Sequence, residues 1–243
     1  MQLGASSRLS EPQNRLFDRR LTAASNELGL AVTEAAGPAT ADLAYLCGLP
    51  ASRMLSTHYP LVAPVLPAVR YQNQPWYFVD VLARNEGMGV GAGRWAYNQT
   101  SSFSGWLAVR QGLRLHHVDP DQLEWTETGS HASSLAALRS GAIDLAGVDS
   151  MILDLEPHLA DNLVVIDSWG PWPTPPVMAA RSLDQTLVDD LVHAFLGSEG
   201  GVNWVALDPN HLEPIEVVGR AAAREQGPDA AGDAVLREEY GSA

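Results

Sequence analysis

The sequence is poor in cysteine: Cys47 is its one thiol. A lone cysteine forms no intramolecular disulfide, and zinc sites of four cysteines, or of two cysteines and two histidines, are excluded. It lies in the apolar run Leu43-Ala44-Tyr45-Leu46-Cys47-Gly48, where a thiol behaves as a small hydrophobe. Basic side chains are also scarce, 15 Lys and Arg against 29 Asp and Glu, for a formal net charge of -14. A surface of that sign repels nucleic acid and anionic membranes, so no nucleic-acid partner is expected. It repels a small anion as well, so an anion site has to carry its own local donors. Long apolar runs are missing too. No window approaches the roughly 18 uninterrupted apolar residues of a membrane span, and direct membrane insertion is not expected. The first residues, Met1-Gln2-Leu3-Gly4-Ala5-Ser6-Ser7-Arg8, lack the basic segment and apolar stretch of a secretory leader. Taken literally, the sequence places the chain in the cytoplasm; a leader upstream of these residues would place it in the periplasm or outside the cell.

What is present is material for a packed fold. Hydrophobic residues make up 46% of 243 positions and charged residues 18%, enough to bury one large core or two small ones. Leu16, Phe17, Leu21, Leu28 and Leu30 predict a helix that ends near Gly29. Asp42 to Gly48 reads as a buried strand, with Gly48-Leu49-Pro50 as the turn after it. The stretch from Leu61 to Tyr71, broken by Pro64 and Pro67, suits an edge or crossover segment. Further strands are expected over 76–82, 95–98 and 143–148, with helices over 106–110, 132–139 and 183–196. After a strand at 163–166, four prolines (Pro171, Pro173, Pro175 and Pro176) predict a stiff extended connector. The tail from Ala221 to Ala243 reads as a peripheral helix or a partly ordered terminus. Ala41-Asp42-Leu43-Ala44-Tyr45 and Ile143-Asp144-Leu145-Ala146-Gly147 are alike, each placing Asp ahead of an apolar strand. Chance accounts for five residues as well as a repeat does. Alternating helices and strands give an α/β fold with mixed, mainly parallel sheets.

The chemistry concentrates at two loop-to-helix junctions. Ser101-Ser102-Phe103-Ser104-Gly105 gathers hydroxyls where one helix begins, and Thr128-Gly129-Ser130-His131-Ala132-Ser133-Ser134 does so at another. Two readings fit each. Serine and threonine are ordinary N-caps; equally, the unpaired N–H groups and positive dipole end of a helix suit an oxyanion. With an ordinary pKa near 6.5, His131 has both charged and neutral forms available to it. Tyr45, near the end of a strand, is either a core ring or a hydroxyl at a ligand. Asp149, at a strand's C-terminal end, either bonds local backbone or accepts from a ligand. Catalytic patterns are absent. A nucleophile elbow ending at Gly105 would need Gly in place of Ser101 and Ser in place of Phe103. Gly87-Met88-Gly89-Val90-Gly91-Ala92 has neither the dinucleotide spacing nor the ending of a phosphate loop. His116, His117 and Asp119 read as a surface loop rather than a metal site. No cofactor is expected.

Those same residues resemble the phosphate, phosphite and phosphonate substrate-binding proteins of ABC transporters, the PhnD-like branch of the type II periplasmic-binding-protein group. The resemblance runs from about Ala41 to Pro176. It rests on the Ala41–Gly48 strand region, Tyr97-Asn98 with Ser102-Phe103-Ser104-Gly105, the run Thr128–Leu138, and Gly141–Asp149. It implies two lobes joined by a two-strand hinge: residues 1–75 and 172–243 forming one, residues 76–171 the other, with the ligand in a cleft between them. It further implies a small anionic ligand held by Ser102, the backbone N–H of Phe103, Ser104 and His131, with Tyr45 and Asp149 completing the site. Phe103 departs from the small hydroxylated residue the family places there. The implied role is a non-catalytic solute-binding protein for ABC-type uptake, with a permease as partner. An enzyme or a ligand sensor on the same scaffold is the alternative. An enzyme needs a nucleophile or base of shifted pKa beside the ligand, and a sensor a partner surface that changes on binding.

Overall fold

The computed structural model describes residues 2–199 and 201–226; the predicted tail beyond Gln226 lies outside them. β1 (Gln2–Arg8) leads into α1 (Glu11–Leu28). The Ser10 N–H donates to the Gln13 side chain (3.4 Å) at the start of α1. Gly29, at φ 64, ends it in the left-handed region that glycine adopts without strain. The buried residues of α1, Leu16, Phe17, Leu21 and Ala24, recur at helical spacing. β2 (Ala31–Glu34), β3 (Leu43–Leu46), α2 (Gly48–Arg53) and β4 (His58–Val65) follow. Gly48-Leu49-Pro50 is thus the start of a helix and not a turn. Pro50 fits there because the N–H groups of a first turn have no intrahelical partner. Next come β5 (Trp76–Ala83), β6 (Arg94–Tyr97), a π-helical turn (Phe103–Leu107) continuing as α3 (Ala108–Leu115), and β7 (Glu124–Glu127). The chain goes on through α4 (His131–Ser140), β8 (Leu145–Asp149), α5 (Ser150–Leu155), β9 (Val164–Pro173) and β10 (Val177–Ala180). α6 (Gln185–Phe195), β11 (Gly197–Glu199), β12 (Val202–Ala206) and α7 (Glu213–Gln226) end it.

These elements form two compact units. The first runs to Trp76 and resumes over Pro173–Val217; the second comprises Tyr77–Trp172 and Val218–Glu225. One sheet has the order β11-β12-β4-β10-β3-β1-β2, the other β7-β6-β8-β5-β9. Both are mixed. β1 is parallel to β2 and β3, and β6 to β7 and β8, as expected of strands with helices between them. β10 is antiparallel to β3 and β4, β12 to β4 and β11, and β5 to β8, so parallel pairing does not dominate.

Two proline-rich segments differ from expectation. β4 is an interior strand between β12 and β10, not an edge. The register against β10 shifts between Val177 and Met178, beside Pro60, and such an irregularity accommodates a residue that has no N–H. The expected connector after Ile166 continues instead as β9 to Pro173. β9 is an edge strand, where proline removes no ladder bond that a second neighbour needs.

The first unit's core is aromatic. Tyr45 stacks on Phe17 at 5.2 Å between centroids, and Trp204 lies 6.2 Å from Tyr45 and 5.7 Å from Phe195. Each such pair contributes about 0.5–1.5 kcal/mol beyond its area burial. The Arg20 guanidinium fastens α1 to the end of α6, donating to the carbonyls of Ala194 (2.7 Å), Phe195 (3.0 Å) and Leu196 (2.6 Å), where a cation suits the helix dipole. In the second unit, Leu135 and Leu138 of α4 pack on Leu82, Ala96, Ala146 and Val148, and Trp95 lies against Trp169 and Trp125 at 6.1 and 5.8 Å.

The two similar segments hold equivalent places. Asp42, one residue ahead of β3, accepts from the Gly4 N–H (2.7 Å) and returns its own N–H to the Gly4 carbonyl (2.8 Å). Asp144, one residue ahead of β8, does the same with Arg94, accepting at 3.0 Å and donating at 2.8 Å. In both units an aspartate joins the beginnings of two parallel strands.

Candidate functional site

In the second unit β6 ends at Tyr97, and the residues that follow bring together most of the side chains singled out in the sequence. Ser102 caps the first junction, its Oγ accepting from the Gly105 N–H at 3.0 Å. The helix expected there begins as the π-helical turn and becomes α-helical at Ala108. Gly105 is required by packing: a Cβ on it would come within 2.6 Å of the Asn98 amide carbon. At the second junction Ser130 caps α4, its Oγ accepting from the Ser133 N–H at 3.1 Å. Both capping readings therefore hold, and they leave Ser104 and His131 for other work.

Two cross-links tie the first junction to α4. Ser104 Oγ lies 2.9 Å from His131 Nε2, both residues being more than nine-tenths buried. Beside this pair, Ser134 Oγ donates to Asn98 Oδ1 at 3.2 Å. Thr128 Oγ1 stands 2.6 Å from Ser134 Oγ and donates to the Tyr97 carbonyl (2.9 Å), while the Gly129 N–H donates to the Asn98 carbonyl (2.9 Å). Asn98, Thr128 and Ser134 lie in the segments singled out in the sequence, though none of the three was named as a ligand-binding residue.

Burial pushes the His131 imidazole down from its usual value near 6.5 to about 4, the Gly147 carbonyl acting the other way. At neutral pH the ring is uncharged, which removes the charged form from the two the sequence allowed. Among the described residues its Nδ1 is buried without a hydrogen-bond partner. An uncharged imidazole at 2.9 Å from a hydroxyl can donate to it or accept from it, so the Ser104–His131 pair can present either a donor or an acceptor.

The remaining predicted residues are placed differently. Phe103 is fully buried, with Trp172 edge-on at 5.0 Å, so its side chain packs in the core. Asp149 caps α5, its Oδ1 accepting from the Met151 N–H at 2.9 Å. It ends β8, the strand next to β6. Tyr45 belongs to the first unit and is wholly enclosed among Phe17, Phe195 and Trp204. It is a core ring there, because its strand is buried along its whole length. His116 pairs with Asp167 at 3.3 Å, and among the described residues no group of three or more His, Cys, Asp or Glu is arranged to hold a metal ion. A recess of about 390 Å³ in the first unit is lined by Ser6, Ser7, Arg8, Phe17, Asp18 and Glu34 among others, and includes none of the predicted site residues.

The fold has counterparts among known proteins. The periplasmic phosphonate substrate-binding proteins of ABC transporters match residues 30–224. No protein of curated function matches the sequence. Among solved structures, PhnD1 of Prochlorococcus marinus MIT 9301, in complex with methylphosphonate, superposes with a TM-score of 0.70 at 16% identity, covering 91% of this chain and 98% of its own. The binding-protein component of an ABC phosphonate transporter of Pseudomonas aeruginosa gives 0.69 at 17% identity, covering 98% and 95%. XAC2383 of Xanthomonas citri, solved with ATP bound, gives 0.64 at 14% identity, covering 92% and 97%. These structures share the fold of the two-lobed, type II periplasmic binding proteins. The match over residues 30–224 shows that the chain belongs to the phosphonate substrate-binding protein family of ABC transporters, and its role is solute binding.

Proposed function

We propose that the chain takes up a small phosphorus oxyanion (phosphate, phosphite or a phosphonate) at Ser102, the backbone N–H of Phe103, Ser104 and His131, and delivers it to an ABC-type permease. The observation that carries this reading is the 2.9 Å contact between Ser104 and His131, which follow β6 and β7 in the chain. It joins two residues 27 positions apart at the sheet edge where open α/β sheets receive ligands. The backbone and hydroxyl donors there need no positive side chain, which answers the objection raised by a net charge of -14. The methylphosphonate bound by the Prochlorococcus protein supports the ligand class. Asp149, next along the sheet edge, belongs to the proposal as a neighbour of the site. Tyr45 does not, because its ring is spent on the core.

The same distance would suit a nucleophile and its base. A triad, however, orients the imidazole through a third group at its other nitrogen, and His131 Nδ1 has no hydrogen-bond partner among the described residues. Binding without catalysis is the reading that fits. Among the described residues no helix is long and apolar enough to cross a membrane, and the family is periplasmic; we place this chain's work on the same side of the membrane.

Calorimetric titration with phosphate, phosphite, methylphosphonate and 2-aminoethylphosphonate tests the proposal. At least one should bind with a Kd of about 1 μM or below, roughly -8 kcal/mol. Silence across the panel would remove the ligand class, and heat from ATP alone would replace it with a nucleotide.

A further inference from the structure

We infer that Asn98 is a ligand-binding residue, its side-chain amide nitrogen donating to the same oxyanion as Ser104. The inference rests on the oxyanion reading above and adds a contact to it. Its starting point is charge. The stretch Tyr77–Trp172 has five basic side chains, all arginines: Arg84, Arg94, Arg110, Arg114 and Arg139. Arg84 and Arg94 are held by Asp144, Arg110 by Asp121, and Arg139 by the Leu159 carbonyl (2.7 Å); Arg114 also has a partner. With these cations engaged, an anion held by this stretch has to be met by neutral N–H and O–H donors, and each uncommitted donor counts.

Asn98 supplies one. The residue is 8% exposed, and its amide is fixed on two sides. Oδ1 accepts from Ser134 Oγ, and the amide packs so closely on Gly105 that no side chain fits between them. An amide has two donor hydrogens on its nitrogen. Among the described residues Asn98 Nδ2 makes no hydrogen bond. The nitrogen is not among the buried atoms that lack a partner, so it keeps some accessible surface from which to meet a ligand. The pair Asn98–Ser134 runs beside the pair Ser104–His131, both linking the first junction to the first turn of α4. The bare nitrogen thus stands in the same corner as the hydroxyl proposed to meet the ligand.

The test uses the full chain labelled with nitrogen-15 and titrated with methylphosphonate. The Asn98 side-chain amide signals should shift on saturation, in step with the backbone signals of Phe103 and Ser104. Asn98→Ala should weaken binding about 10- to 100-fold, the range for one hydrogen bond to a charged group. Ser134→Ala, which removes the link but leaves the amide nitrogen, should weaken it less than about 3-fold. Unmoved Asn98 signals while Phe103 and Ser104 respond would overturn the inference and leave the oxyanion reading standing. So would equal losses in Asn98→Ala and Ser134→Ala, which would make Asn98 a spacer. If Asn98→Ala fails to fold, the signals of the unaltered chain still decide. No response of any signal to methylphosphonate, phosphate or phosphite would take away both the inference and the reading beneath it.

Discussion

The two units begin alike and end differently. In each, an aspartate just ahead of a strand exchanges hydrogen bonds with the first part of a parallel neighbour, Asp42 with Gly4 and Asp144 with Arg94. The other ends of the parallel strands diverge. In the first unit Tyr45 of β3 closes into a ring cluster with Phe17, Phe195 and Trp204. In the second, β6 runs out into Asn98, Ser102 and Ser104, and these face the hydroxyls and imidazole that begin α4. The first unit therefore spends the end of β3 on core, and the second spends the end of β6 on hydrogen-bonding groups. The aspartates differ too: Asp144 also meets Arg84 Nη2 at 2.9 Å and Arg94 Nε at 3.1 Å, whereas Asp42 has no such pair among the described ion pairs.

Removing Tyr45 should show the sharpest contrast. Tyr45→Ala should cost about 3–5 kcal/mol of stability in denaturant unfolding, as a buried aromatic truncated to alanine does. The stable fraction should still bind methylphosphonate with its original Kd. A lost affinity at intact fold would break the comparison by making Tyr45 a site residue.

Acid comes next. His131 is held near pKa 4 when folded and returns to about 6.5 when unfolded. Its folded pKa is depressed, so the unfolded chain binds the extra proton first. Stability should therefore fall as pH drops from about 6.5 to 4, by up to about 3 kcal/mol, and level off below. His131→Gln should flatten that part of the curve; an unchanged slope would show that another group titrates there.

The aspartates give the smaller effects. Asp144→Asn should cost about 1–3 kcal/mol, because it leaves hydrogen bonds to charged groups unmade, and Asp42→Asn about 0.5–1.5 kcal/mol. The Arg94 and Arg84 guanidinium groups hold the Asp144 carboxyl well below the usual carboxylate range. Its contribution is present above the unfolded value near 4 and is lost as pH falls further. Chemical denaturation of the two variants side by side would check the order. Equal costs would mean that the arginines add nothing at this surface, where ion pairs are often weak.

What could be read from the sequence follows the same division. The helix stop at Gly29 and the caps at Ser102 and Ser130 rest on local chemistry, which is written in consecutive residues, whereas Ser104 and His131 were brought together only by the family resemblance. β1 went unread because Gln2–Arg8 buries only some of its residues, without strict alternation. β4 looked like an edge because its prolines were visible and the compensating register shift against β10 was not. Tyr45 and Asn98 were missed in opposite senses. A hydroxyl near a strand end and an amide after one look equally fit for a ligand until the neighbours are known. Phe17 and Trp204 claim the first, while Gly105 leaves the second bare.

The most direct test is the affinity of Ser104→Ala for methylphosphonate, measured by calorimetry beside the unaltered chain. Losing this donor and its link to His131 should weaken binding about 100-fold, roughly 2.7 kcal/mol. Binding at the original affinity in a folded Ser104→Ala variant would mean that the polar strand end of the second unit is not where the solute is held.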